Sequence, residues 1–365
     1  MLRHLFFVLF ISLDGDTMKK IILFLLFLFP IAAYADSGES TIVMEMTTGR
    51  ILYSNHIHDP RLIASITKIM TCIIVLENAN LEDDITVGDE VLSMYGTNIY
   101  LKVGEVMSIQ DLLYGLMMRS GNDAAVVLAV GTMGSEENFV DKMNEKAKEI
   151  GMTNTTFQNS HGLDEESQNI STAYDMALLS QYAYRNKKYQ QIIQTKKYRA
   201  KSSLKSYLWY NRMSLLNEYE YCIGGKNGYT PKAGKTLVSV AKKDGMTLTI
   251  VSLNDSDIYY NHKSLYQKYF SKYQLYQILN QKNFHMNSSF FPEKIYIKES
   301  FQYPLLSEEL DEITTLVTIR DIDKDNRIGS IVIQLQDEKI GEVSLYQKRK
   351  KELSFFEKVK KLFLR

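Results

Sequence analysis

Cysteine is almost missing from this chain: Cys72 and Cys222 are the only two in 365 residues. Two cysteines make no disulfide framework, so the fold must be held by its core, and 45% hydrophobic content is enough for one large domain or two ordinary ones. Whether the two pair is left open by the sequence, although Cys72, seven residues after Ser65, reads as a small core residue. Net charge is also absent, with 43 basic and 43 acidic residues. With no long basic run before residue 348, nothing points to nucleic acid. Internal repeats and low-complexity segments are lacking. No uninterrupted apolar run reaches the roughly 20 residues of a membrane span, because Asp14 and Asp16 separate Leu5–Leu13 from Ile21–Ile31. His56, His58 and Asp59 lie together, but no second cluster completes a metal site, and neither metal nor cofactor is expected.

What the N-terminus does have is an export pattern. Met18-Lys19-Lys20 supplies charge, Ile21–Ile31 is apolar, and Ala33-Tyr34-Ala35 is a small-x-small cleavage site. Residues 1–35 are therefore expected to be a signal peptide, with translation read as starting at Met18. At the other end, "KRKKELSFFEKVKKLFLR" (348–365) holds eight basic and two acidic side chains. Leu353, Phe355, Phe356, Val359, Leu362, Phe363 and Leu364 share one broad helical face, opposite Lys351, Lys358, Lys361 and Arg365. Such a helix suits an anionic membrane surface, with packing on its own domain as the plainer alternative.

Between these ends the pattern is mixed. Residues 40–54 read as two strands around a Thr-Gly turn, and an apolar helix follows from Ser65 to about Asn78. Residues 108–130 combine a helix with an Ala/Val-rich second half, and 136–150 form another helix. "TLVSVAKKDGMTLTIVSL" (236–253) is a hairpin, and 256–283 is expected to be helical. Early and late strands around central helices predict an α+β domain whose chain ends pair in one antiparallel sheet. After Pro292, short strands with turns at Asp323–Asn326 and Asp337–Gly341 predict a small all-β domain. The expected partition is 36–285, 286–347 and 348–365.

Three short segments carry chemistry. Ser65-Ile66-Thr67-Lys68 puts an ammonium one helical turn from a hydroxyl, and free N–H groups at a helix start suit an oxyanion. Lysine serves as a base only when neutral, which burial among Ile63, Ile66, Ile69 and Met70 or a nearby cation would favour. Ser-x-x-Lys also occurs at Ser202/Lys205 and Ser239/Lys242, so the pattern alone is weak. Ser120-Gly121-Asn122 offers a relay hydroxyl and an amide for a substrate carbonyl. "GGKNGYT" (224–230) fits an edge strand approached by a ligand backbone, with a plain glycine turn as the alternative. "GKT" (234–236) has its upstream glycine out of register for a phosphate loop, and a strand follows it.

In this order and spacing, Ser65-x-x-Lys68, Ser120-Gly-Asn122 and Lys226-x-Gly228 resemble the active-site serine penicillin-binding proteins. The flanks "LIASITKIMTCIIVLEN", "MMRSGNDAAVVLA" and "NSHGLDEESQNISTAYDMALLSQYA" are similar to those of low-molecular-mass D-alanyl-D-alanine carboxypeptidases. The resemblance runs from about residue 40 to the C-terminus. It implies a β-lactamase-like antiparallel sheet flanked by helices, then a small β domain and a terminal membrane helix.

It further implies that Ser65 attacks the peptide bond between two D-alanines while Lys68 takes its proton. Ser120 and Lys226 would pass that proton to the leaving D-alanine, and Asn122 would bind the substrate amide. The N–H groups of Ser65 and Tyr229 would form the oxyanion hole beside Gly228, and penicillins would acylate the same serine. The implied setting is the extracytoplasmic membrane face, acting on peptidoglycan stems, with no nucleic acid involved. His161 matches a segment that shapes the site. The family's third motif normally reads Lys-Thr-Gly or Lys-Ser-Gly, whereas this chain has Lys226-Asn227-Gly228. Arg212 matches the basic residue that would share the substrate carboxylate with Asn227. A further arginine beyond the hairpin has no counterpart; only His262 and Lys263 lie there. A scaffold with impaired chemistry and a β-lactamase using Glu165 are the alternative expectations.

Overall fold

The computed structural model describes residues 38–284, 286–288 and 291–347. The expected signal peptide and the terminal amphipathic helix lie outside these residues. Both ends of the main segment meet in one antiparallel sheet, as the alternating apolar runs predict. Its strands are β1 (Gly38–Glu45), β2 (Ile51–Asn55), β3 (Cys222–Thr230), β4 (Gly234–Lys243) and β5 (Met246–Asp255), in the order β2-β1-β5-β4-β3. Chain entry and hairpin join through β1 and β5, with Ile42 opposite Val251 and Val43 opposite Ile250. β3, which carries the GGKNGYT segment, is a sheet edge.

Seven helices of two turns or more belong to this part: α1 (Lys68–Asn78), α2 (Ile109–Arg119), α3 (Asn122–Met133), α4 (Glu136–Ile150), α5 (Ala173–Ala183), α6 (Lys187–Gln194) and α7 (Ile258–Lys272). α1 is sunk in the core, with every residue from Lys68 to Val75 buried. Its apolar run explains this: only Lys68 and Thr71 interrupt "KIMTCIIV", and each finds a polar partner, Thr71 Oγ1 donating to Ser160 O at 2.5 Å. Cys72 and Cys222 are both buried free thiols, so no disulfide joins them.

The helix and its Ala/Val-rich second half over 108–130 are α2 and α3, separated at Ser120, which takes a left-handed conformation (φ 62°) as the C-cap of α2. One expectation needs correction. The run 256–283 is helical only to Lys272. A strand, β6 (Gln274–Leu279), follows; alternation in "QLYQIL" wins over helical propensity because a partner is at hand, β9 (Phe301–Leu305). Five later strands, β7 (Met286–Ser288), β8 (Phe291–Ile297), β10 (Ile313–Ile319), β11 (Arg327–Leu335) and β12 (Glu338–Gln347), form a second five-stranded sheet in the order β7-β8-β12-β11-β10. Ile295, Ile297, Ile328, Ile331, Ile333, Val343 and Leu345 make its own small core. Arg50, just before β2, bonds Glu309 Oε1 at 2.5 Å and lies over the rings of Tyr273 and Tyr303. No helix among the described residues is long and apolar enough to cross a membrane.

Candidate active site

Ser65 does not open an α-helix directly. It lies in a 3-10 turn, Ala64–Thr67, that leads into α1. Ala64 has a left-handed backbone (φ 48°), an uncommon state for a residue with a Cβ. Neighbours fix that turn from three sides. Thr236 of β4 donates its hydroxyl to Ile63 O at 3.0 Å, and Asn169 donates to Thr67 Oγ1 at 3.0 Å. Gly162 (φ 90°) presses so close that a Cβ there would overlap Ala64 O. Gly228 of the edge strand does the same on the other side: a Cβ would stand 2.7 Å from Ser65 N.

Lys68 is fully buried, yet it has three partners. Its Nζ lies 2.7 Å from Asn122 Oδ1, 2.5 Å from His161 O and 3.1 Å from Ser65 Oγ. Two of these are carbonyl oxygens that can only accept. A neutral amine has two N–H bonds for them and one lone pair left for the Ser65 hydroxyl. Burial pushes the Lys68 pKa well down, and the Lys226 ammonium pushes the same way, against the opposing carboxylate of Asp123. The geometry and the electrostatics thus favour the same protonation state, the one a general base needs.

Lys226 is itself buried, bonded to Asn227 O at 2.6 Å. Burial and then the Arg212 guanidinium lower its pKa to about 7. The site therefore stacks Arg212, Lys226 and Lys68 so that each cation discourages charge on the next. His161 belongs to this set through its backbone carbonyl, and its ring accepts from Leu163 N through Nδ1 at 3.1 Å. Burial and Lys68 lower the His161 pKa to about 3, so the ring is neutral.

Ser120, Asn122 and their neighbours are held by the segment 95–101. Asn122 donates Nδ2 to Tyr95 O at 2.7 Å and N to Thr97 O at 2.8 Å. Asp123 accepts from Ile99 N and Leu101 N at 3.0 and 3.1 Å. A cleft of about 330 Å³ opens between the pieces, lined by Ser65, Thr97, Ser120, Arg212, Asn227, Gly228 and Tyr229. Lys68, Asn122 and Lys226 are buried beneath it. Every site residue expected from the sequence is thus in the cleft or directly behind it.

Other expectations fall elsewhere. Ser239, from the Ser239/Lys242 decoy, is buried and bonded to His262 Nδ1 at 2.7 Å and Tyr266 OH at 2.8 Å. His262 is enclosed between sheet and α7, its Nε2 3.0 Å from Ser252 Oγ, and takes no part in the cleft. Ser202 and Lys205 close the turn of a hairpin, Lys197–Lys201 with Ser206–Tyr210. The GKT segment is β-strand. Among the described residues, no three His, Cys, Asp or Glu side chains gather as a metal site. The sequence reading missed Thr97, Asp123 and Thr236. Asp123 had a signal, an acid in the first turn of a helix directly after Ser-Gly-Asn; Thr97 and Thr236 had none.

A serine beside a buried lysine at the head of a core helix, roofed by a glycine-bearing edge strand, is an arrangement suited to nucleophilic chemistry. Comparison with known proteins narrows this. The family model "D-alanyl-D-alanine carboxypeptidase" matches residues 31–257, and the chain belongs to that family. It is 36% identical over 218 residues to the D-alanyl-D-alanine carboxypeptidase DacF of Bacillus subtilis, a match covering 58% of this chain and 56% of that protein. It is 34% identical over 250 residues to DacC of Escherichia coli, covering 62% of each. The chain thus matches about three-fifths of the length of these curated relatives. Among solved structures, penicillin binding protein 6B of Escherichia coli superposes with a TM-score of 0.69 at 26% identity, over 85% of this chain and 95% of that one. Penicillin binding protein 5 of Haemophilus influenzae, at 24% identity, shares the fold over 86% and 97% with a TM-score of 0.72.

Proposed function

We propose that this protein is a serine-type D-alanyl-D-alanine carboxypeptidase that trims the terminal D-alanine from peptidoglycan stem peptides and is acylated by penicillins. One observation carries the reading: a fully buried Lys68 whose Nζ lies 3.1 Å from Ser65 Oγ, with two carbonyl acceptors occupying its other directions. Neutral Lys68 takes the hydroxyl proton as Ser65 Oγ bonds to the carbonyl carbon. The oxyanion forms against the N–H groups of Ser65 and Tyr229, and Gly228 lets the two come close. Ser120 and Lys226 carry a proton to the leaving amine, D-alanine departs, and water attacks the acyl-enzyme by the reverse path. The substrate carboxylate is held by Arg212 and Asn227, and its amide by Asn122. Retention of this whole set in one cleft favours an enzyme over an inert scaffold.

The finer organisation belongs to the same reading. Residues 1–35 direct export, 36–285 carry the chemistry, 286–347 form a small β domain, and 348–365 hold the protein on the outer face of the cytoplasmic membrane. Supporting this are the lysine-rich amphipathic pattern of the terminal segment and the separate apolar core of the second sheet.

The test is D-alanine release from diacetyl-Lys-D-Ala-D-Ala, beside labelling by a fluorescent penicillin. Both should vanish in Ser65→Ala. Labelling without release would leave a penicillin-binding scaffold. Rapid loss of the label through β-lactam hydrolysis would instead make it a β-lactamase.

A further inference from the structure

Four strand edges bound the two five-stranded sheets, and three are protected. β3 forms the roof of the catalytic cleft, β2 has five residues and a register shift against β1, and β7 has three residues. The fourth, β10, is different. Its seven residues, Ile313–Ile319, pair with β11 without a register shift and include no charge, proline or glycine. Leu316, Val317 and Ile319 are 59%, 41% and 38% exposed. Sheet edges are normally guarded by lysine, proline, a bulge or brevity, because a bare edge pairs with another strand. β10 has none of these guards.

The backbone directions are fixed by two observations. Arg320 N donates to Ile328 O at 2.6 Å, and the carbonyl of Thr318 faces Gly329 so closely that a Cβ there would overlap it. Even-numbered residues therefore turn their N–H and C=O toward β11. Ile313, Thr315, Val317 and Ile319 turn theirs outward.

The sequence of the strand, Ile-Thr-Thr-Leu-Val-Thr-Ile, reads nearly the same in both directions about Leu316. We infer that two copies of the chain pair antiparallel through β10, on a two-fold axis at Leu316, extending the second sheet across both. In that register Ile313 lies opposite Ile319 of the partner, Thr314 opposite Thr318, Thr315 opposite Val317, and Leu316 opposite its own copy. Apart from Thr315 against Val317, both β-branched, like side chains meet along the ladder, apolar with apolar and threonine with threonine. At each end Glu312 meets Arg320, opposite charges on exposed side chains. Asp311 and Asp321 lie beyond the paired strands and do not enter the ladder. The outward-facing residues are the hydrogen-bonded pairs, and Leu316 occupies a non-hydrogen-bonded position. There Cα atoms lie about 4.5 Å apart, within disulfide reach. This interface is independent of the catalytic reading.

The test uses the full chain in mild detergent. The native thiols Cys72 and Cys222 are buried and give little background. Under mild oxidation Leu316→Cys should form a covalent dimer. Thr314→Cys should not do so alone, but should cross-link when mixed with Thr318→Cys. Val317→Pro removes an N–H that points outward, so the melting midpoint should hold while self-association weakens by roughly tenfold or more. Glu312→Arg should weaken association, and adding Arg320→Glu should restore it. A monomer by sedimentation at micromolar concentration, equal cross-linking of Leu316→Cys and Thr314→Cys, or a dimer indifferent to Val317→Pro would each overturn the proposal.

Discussion

A Cβ on Gly228 would stand 2.7 Å from the backbone nitrogen of Ser65, so the edge strand and the turn that carries Ser65 leave no room for a side chain between them. Gly228→Ala must push them apart and spoil the pocket for the oxyanion. Loss of one such donor costs roughly 10²–10³ in rate. The expected result is acylation by a chromogenic penicillin slowed by that order, with the circular dichroism spectrum unchanged. Acylation within about twofold of the parent would remove the Ser65 N–H from the mechanism.

Lys68 must be neutral to act, and the positive charge on Lys226 is one reason its pKa is low. Lys226→Met removes that cation, so the Lys68 pKa rises toward its ordinary value. The acid limb of the acylation rate against pH then moves to higher pH. An unmoved limb would mean that burial alone sets Lys68. Arg212→Gln acts one step further out: without the guanidinium, Lys226 titrates above about 7, which can be followed by NMR of labelled lysine.

Asn227 stands where the resemblance leads one to expect threonine or serine, and it lines the cleft with Arg212. Its amide can donate to a carboxylate, but at greater reach than a hydroxyl. Asn227→Thr should raise kcat/KM for a peptide ending in free D-alanine by up to roughly tenfold, since one hydrogen bond to a charged group is worth about 1.5 kcal/mol. The gain should disappear for the C-terminally amidated peptide. Equal gains on both would assign the effect to something other than the carboxylate.

His161 and His262 are buried and neutral, each with a pKa lowered to about 3. Below the ordinary histidine range the unfolded chain binds protons that the folded chain does not. Stability is therefore fully present above about pH 6.5 and falls as pH drops toward 3, by up to roughly 1.4 kcal/mol per pH unit for each histidine. Urea unfolding at pH 7 and pH 5 reads this directly. His262→Asn, if it still folds, should flatten the slope by about half, and equal midpoints at both pH values would contradict the argument.

Much of the site was legible in the sequence for local reasons. Serine and lysine three apart, a Ser-Gly-Asn break between apolar runs, and a glycine-flanked lysine before a hairpin are short patterns whose chemistry depends on side chains a few residues apart. The α+β class followed from alternation and helical runs, since those periods are dictated by which face is buried. Where the reading slipped, at 256–283, a strand partner some 25 residues downstream decided the conformation, and local propensity could not report it.

The sequence by itself determined that a serine and a lysine stand one turn apart and that a second lysine precedes the hairpin. Only the tertiary structure decided that Lys68 is buried against Asn122 Oδ1 and His161 O, that Lys226, itself beside Arg212, loads it with positive charge, and that Thr236 and Gly228 brace the turn of Ser65. The physical reason is distance along the chain. Helical spacing fixes contacts within a turn, whereas desolvation and the field at Lys68 come from segments more than fifty residues away, which only the folded sheet and helices bring within a few ångströms.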